Sequence, residues 1–320
     1  MVNSEKRVTV AEIKEFFRWE LICGDEKSLS RLVSVPDINR PGLELTGFFK
    51  HTEPKRIVIL GDKEHAYIET LSEVEQEERF DKITSKNTPA IIISHENTLS
   101  PVLQKVCDKK NFPVLQTKDS TNRIIVDLIS FLDEKLAPSD SMHGVLLNVY
   151  GKGVLITGES GVGKSEIALE LIKKGHTLVA DDRVDVSRIH NTLVGEAPEL
   201  LKGVLEIRGI GIIDIVQMFG ASASLHRSNV DFIVHLEQWN TEKDYRRVGL
   251  EEENHTRKIL GLEIPELVFP VKEGRNMAVL IESAVTDFTL KLMDINSAKE
   301  FEDRVYNYIL KQNEEKGETK

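Results

Sequence analysis

The chain has 320 residues, 40% of them hydrophobic and 30% charged, a balance that suits a soluble protein with a sizeable buried core. Lys and Arg total 42 against 53 Asp and Glu, and the resulting net charge of −11 predicts neither nucleic acid nor an anionic membrane as a partner. No run approaches the ~18 apolar residues of a membrane span, the N-terminus lacks a signal-peptide core, and the two cysteines, Cys23 and Cys107, stand in unrelated contexts without metal-like spacing, so a cytoplasmic protein with reduced thiols is expected.

Thr9-Val10-Ala11-Glu12 has capping-box spacing, and Ile13, Phe16 and Phe17 continue it with helical periodicity. A short strand is predicted from Glu20 to Cys23, ending at Gly24. Runs rich in Ile and Val at 56–60, 90–94 and 112–116 read as further strands, with helical patterns at 100–109 and 120–135. This alternation predicts an N-terminal α/β domain over 1–135 with a largely parallel sheet. Ala137-Pro138-Ser139-Asp140-Ser141 is short, polar and proline-bearing, and reads as a linker to a second domain over 136–312. The polar stretch 313–320 reads as a flexible tail.

The second domain opens with His143, an apolar run from Val145 to Tyr150, the turn residues Gly151-Lys152-Gly153 and a second strand from Val154 to Thr157. That strand feeds Gly158-Glu159-Ser160-Gly161-Val162-Gly163-Lys164-Ser165, which fits the phosphate-binding pattern G-x-x-x-x-G-K-[ST]. Glycines let such a loop aim backbone N–H groups at phosphates, Lys164 reaches the β and γ groups, and the Ser165 hydroxyl suits Mg²⁺. A helix starts at the loop with Ile167, Ala168, Leu171 and Ile172 on one face and Gly175 at its close.

Two acids, Asp181 and Asp182, end the apolar strand that begins near His176. Beside a phosphate loop, one can serve a metal and the other an acceptor's proton. Strand alternation places them on opposite faces. The next notable run is Leu205-Glu206-Ile207-Arg208-Gly209-Ile210-Gly211, which is read as a strand carrying Glu206 and Arg208 on one side. Basic residues beside glycine recur at Asp244–Gly249 and in Pro270-Val271-Lys272-Glu273-Gly274-Arg275. No N-K-x-D run for guanine recognition is present, and the acids follow close on the loop, which sets the chain apart from an ordinary GTPase.

With these segments the chain resembles the HPr kinase/phosphorylase family. The resemblance is carried by His143-Gly144, 158–165, Val179-Ala180-Asp181-Asp182, 205–211, Arg247 with the following Val-Gly, and Gly274-Arg275-Asn276. It implies a kinase domain akin to phosphoenolpyruvate carboxykinase that phosphorylates a regulatory serine of HPr with ATP or pyrophosphate. It also implies the reverse step, in which inorganic phosphate attacks the phosphoserine and pyrophosphate leaves. Asp182 is then the general base and acid, and Lys164 stabilises the transferring group. Ser165 and Glu206 hold Mg²⁺ with Asp181 close by, and His143 and Arg247 join the catalytic set. The segment 205–211 serves both directions, and the loop 270–275 serves dephosphorylation. A homo-hexamer responding to fructose 1,6-bisphosphate and inorganic phosphate is further implied. The chain departs from the family pattern at Glu273, where proline is common, and over 284–298; the extra charge is expected to weaken the reverse reaction. Competing readings are a switch-like ATPase, a small-molecule kinase, and a binding protein that keeps an idle phosphate loop.

Overall fold

In a computed structural model of the protein, residues 6–239, 255–272 and 274–317 are described, and the chain divides into two compact units, Met1–Pro138 and Ser139–Lys320. The first unit has a five-stranded sheet in the order Glu20–Cys23, Val114–Gln116, Ile91–Ile93, Ile57–Leu60, Ile38–Asn39. All pairings are parallel except that of Glu20–Cys23, as the βαβ alternation requires. Both faces are buried. Ile57, Ile59 and Ile92 pack toward the helices Val10–Phe17 and Thr121–Lys135, while Val58, Leu60 and Ile91 pack toward Glu73–Ile83 and Pro101–Lys110. That two-sided burial explains why these strands read as unbroken apolar runs. The capping box at Thr9 forms with both reciprocal bonds, Glu12 N–H to Thr9 Oγ1 at 3.2 Å and Thr9 N–H to Glu12 Oε2 at 2.7 Å.

The fold corrects the view that the cysteines are unrelated. Cys23 ends an edge strand and Cys107 lies on the helix Pro101–Lys110, and both thiols are buried in the same apolar cluster. Burial pushes the Cys23 thiol up to about 11, helped by its bond to Asp108, and pushes Cys107 up as well. Sequence spacing hides this shared burial because the fold, not the local pattern, closes an 84-residue separation (107 − 23).

The second unit has three layers. A six-stranded sheet runs in the order Thr177–Ala180, Val145–Val149, Lys152–Gly158, Phe232–Gln238, Leu262–Val271, Thr256–Ile259. Val145, Leu147, Val154 and Ile156 face the helices Lys164–Lys173 and Met277–Leu292. Leu146 and Leu155 face a second, four-stranded sheet of Ser139–His143, Arg183–Ile189, Thr192–Glu196 and Arg227–Asn229. The alternation is the strand period of two with both faces dry. Tyr150 and Gly151 join the hairpin with φ of 52° and 83°, the left-handed pair that matches strand twist.

Two expectations change here. Ser139, Asp140 and Ser141 are not linker but the start of an edge strand paired antiparallel with Arg183–Ile189. Polar side chains suit an edge strand, and so the segment looks like a loop. The last helix, Ser297–Gly317, runs into the stretch read as a tail, because a polar sequence without Gly or Pro before Gly317 leaves helix formation unopposed. The divergent Met293-Asp294-Ile295-Asn296 falls in the connection between that helix and Met277–Leu292, with Asp294 left-handed at φ 61°. No helix among the described residues is long and apolar enough to cross a membrane.

Candidate active site

The phosphate loop joins the buried strand Lys152–Gly158 to the helix Lys164–Lys173. Gly158 has φ 147°, and a Cβ there would lie 2.4 Å from the Leu236 carbonyl oxygen, so only glycine lets the chain leave the sheet this way. Val162 anchors the loop in the core, while Glu159, Ser160 and Gly161 are exposed. The Lys164 ammonium folds back on the carbonyl oxygens of Gly158 and Glu159 at 3.1 and 3.0 Å. Its pKa is lowered by burial, partly offset by Asp181 and Asp182 and reinforced by Arg208. The helix is closed at its far end as predicted: Gly175 N–H bonds Ile172 O at 2.9 Å, and His176 N–H bonds Leu171 O at 3.1 Å.

The two acids have separate environments. Asp181 is buried, and its carboxylate accepts the Ser165 hydroxyl at 3.0 Å on Oδ1 and the Glu206 N–H at 3.0 Å on Oδ2. Burial pushes its pKa up, against the pull of those hydrogen bonds. A buried carboxylate with a raised pKa beside a hydroxyl fits a divalent cation, whose charge would offset the burial cost. Glu206 enters this contact through its amide, and its own side chain is exposed. No group of three His, Cys, Asp or Glu side chains gathers as a metal cluster among the described residues.

Asp182 is exposed. His143 Nδ1 lies 3.1 Å from its Oδ1 and 2.9 Å from its carbonyl oxygen, which also accepts the Gly144 N–H at 3.1 Å. The acids do diverge, but not by strand alternation. The strand stops at Ala180, and Asp182 turns the chain with a left-handed φ of 63°. A strained non-glycine residue at such a point is common where chemistry occurs.

Arg208 is placed differently from expectation. The strand Val204–Ile207 ends before it, and Arg208-Gly209-Ile210 form the turn of a hairpin with Gly211–Asp214. Its guanidinium lies against the phosphate loop: Nη2 is 3.4 Å from Ser160 Oγ, and a Cβ at Gly161 would come within 2.5 Å of Nη1. The period-two pattern of Glu206 and Arg208 conceals a three-residue turn, which the glycines at 209 and 211 alone betray. Lys272 follows the strand Leu262–Val271, at the same sheet edge as the phosphate loop, because that strand and Phe232–Gln238 run parallel to Lys152–Gly158. Pro270 and Val271 end the strand, and Gly274 and Arg275 lead into the next helix. Arg247 and Glu273 lie outside the described residues.

Sequence reasoning missed a polar junction at the back of the phosphate-loop helix. Glu282 accepts from Lys174 Nζ at 2.6 Å and Tyr150 OH at 3.3 Å, and its Oε1 lies 2.9 Å from His176 Nε2. These residues come from a turn, a helix end and a distant helix, and no local motif joins them.

The family description "HPr Serine kinase N terminus" matches residues 8–132, and "HPr Serine kinase C-terminal domain" matches 134–305. The HPr kinase/phosphorylase of Halalkalibacterium halodurans is 45% identical over 95% of this chain and 97% of its own, and that of Bacillus subtilis is 43% identical over the same shares. The solved structure of the Hpr(Ser) kinase/phosphatase from Coxiella burnetii is 36% identical over 48% of this chain and 99% of that one, with a TM-score of 0.44. With both family descriptions matched across most of its length, and relatives this similar over nearly all of it, the chain belongs to the HPr kinase/phosphorylase family of enzymes.

Proposed function

We propose that the protein transfers a phosphoryl group from ATP or pyrophosphate to a serine of HPr, and that it also removes that group by attack of inorganic phosphate, releasing pyrophosphate. The observation that carries this reading is Asp182, held by His143 beside a phosphate loop and open to solvent. A protein acceptor needs an exposed base, whereas a water-activating site gains from a closed one.

In the forward direction the serine oxygen bonds to the terminal phosphorus of the donor, and the bridging P–O bond breaks. Asp182 takes the serine proton, and His143 holds the carboxylate in place. In reverse, an oxygen of inorganic phosphate bonds to the phosphoserine phosphorus, and Asp182 returns its proton to the leaving serine oxygen. Lys164, Arg208 and the loop amides offset charge on the moving group, which is where most catalysis of phosphoryl transfer arises. Ser165 and Asp181 would hold Mg²⁺, with Glu206 near; when bound, the ion neutralises phosphate charge. The family resemblance supports roles for Arg247 and for the loop 270–275 in this cycle. It likewise supports a cytoplasmic hexamer that answers to fructose 1,6-bisphosphate and inorganic phosphate.

The test uses purified protein, Mg²⁺, γ-labelled ATP and HPr, followed by excess phosphate. Label on an HPr serine and its later appearance in pyrophosphate are expected. ATP hydrolysis without labelled HPr would overturn the reading in favour of a switch-like ATPase.

A further inference from the structure

The sheet order fixes the direction in which a donor nucleotide lies. Asp181 and Asp182 follow Thr177–Ala180, on one side of the phosphate-loop strand. Phe232–Gln238 and Leu262–Val271 lie on the other side, parallel to the loop strand, so the carboxyl ends of all three strands share an edge. Ligands of open α/β sheets sit at that edge. If the terminal phosphate faces the acids, the nucleoside must extend away from them, toward the ends of these two strands.

Trp239 stands there. Gly158 is level with Leu236, so Trp239 projects three residues past the start of the loop. One strand spacing and three residues of rise put it about 5 Å to the side and about 10 Å forward of Gly158, within the span of a nucleotide whose β phosphate sits in the loop. Its N–H donates to the Val271 oxygen at 3.2 Å, which ties it to the neighbouring strand end. Lys272 Nζ lies 4.9 Å from the centroid of its ring, and 40% of the residue's surface is open to solvent. Large aromatics are usually sunk further than this. An indole braced by a cation and held at the ligand edge offers a π surface to a flat heterocycle.

We propose that Trp239, braced by Lys272, is the platform on which the base of the donor nucleotide stacks. This deepens the reading above and rests on its placing of the donor's phosphates in the loop. It adds a division of labour. The loop holds what ATP and pyrophosphate share, and Trp239 touches only what ATP has in addition.

Pyrophosphate therefore serves as the control. Calorimetric titration of the full-length protein with MgATP and with magnesium pyrophosphate tests the assignment. Trp239→Leu is expected to weaken MgATP about tenfold, the scale of one base–aromatic stack, while pyrophosphate stays within about twofold. Trp239→Phe is expected to recover most of the ATP affinity. Equal loss for both donors, or unchanged ATP binding in Trp239→Leu, would overturn the platform. Because binding is measured without HPr, wild-type protein that binds both donors yet never labels HPr sinks the proposed reaction only, and the ratio between donors still decides about Trp239. Wild-type protein that binds neither donor overturns both.

Discussion

Asp182 owes its position to a backbone that most residues avoid. Its left-handed turn lifts the carboxylate out of the sheet edge, and His143 then holds it at 3.1 Å. One carboxylate that both takes and returns the proton predicts a shared fate for the two reactions. Asp182→Asn is expected to lower phosphorylation and phosphorolysis together by at least about 10²-fold; a variant that loses one direction and keeps the other would refute the shared role. Lys164→Met is expected to lower both rates by about 10²–10³-fold, since on the proposed reading it removes a cation that offsets charge on the transferred phosphoryl group, with the far-UV spectrum unchanged. At this scale the sequence was informative where chemistry needs fixed spacing. The loop 158–165 and the acids 181–182 could be read directly. The seat of Arg208 on Gly161 could not, because it depends on a hairpin turn that mimics a continuing strand.

The elements that carry these residues are stabilised mainly by apolar faces. On the phosphate-loop helix, Ala168 and Leu171 are fully buried and Ile167 and Ile172 nearly so, in the same core as Val154 and Ile156. Leu171→Ala is expected to cost about 2–5 kcal/mol in urea unfolding, the range for emptying a packed leucine site. The capping box at Thr9 is a smaller effect, and Thr9→Ala should cost about 1 kcal/mol. Helices and buried strands of this kind were legible because period and caps are local properties. Ser139–His143 was not, because an edge strand with polar side chains has the composition of a loop and is recognised only by its partner, Arg183–Ile189. The helix Ser297–Gly317 was missed for a related reason: its polar end reads like a frayed terminus.

At the scale of the whole molecule, each unit has cores of its own, and the second unit is further tied by a junction far from the reacting groups. Glu282 joins the hairpin turn at Tyr150, the end of the phosphate-loop helix at Lys174 and the helix Met277–Leu292. The Lys174 ammonium, aided by His176, holds the Glu282 carboxyl below its ordinary value near 4.5. A group whose folded pKa is depressed stabilises the fold above its unfolded pKa and loses that effect as pH falls through the folded value. Glu282→Gln should therefore cost about 1–2 kcal/mol at neutral pH, and the gap from wild type in urea titrations should close as the pH drops below 4.5. A gap that stayed constant with pH would assign the junction to packing instead.

The buried thiol pair of the first unit has a use of its own. Cys23 and Cys107 are the chain's two cysteines, and both lie in the same unit, with their pKa values raised by burial. A thiol kept protonated and covered reacts with a maleimide or disulfide reagent only when its surroundings open. Labelling kinetics on the unmodified protein thus act as a gauge of opening that sees the first unit and is blind to the second. Run with and without a candidate effector, the same clock reports whether a small molecule that alters phosphoryl transfer also tightens or loosens a domain that holds none of the reacting groups.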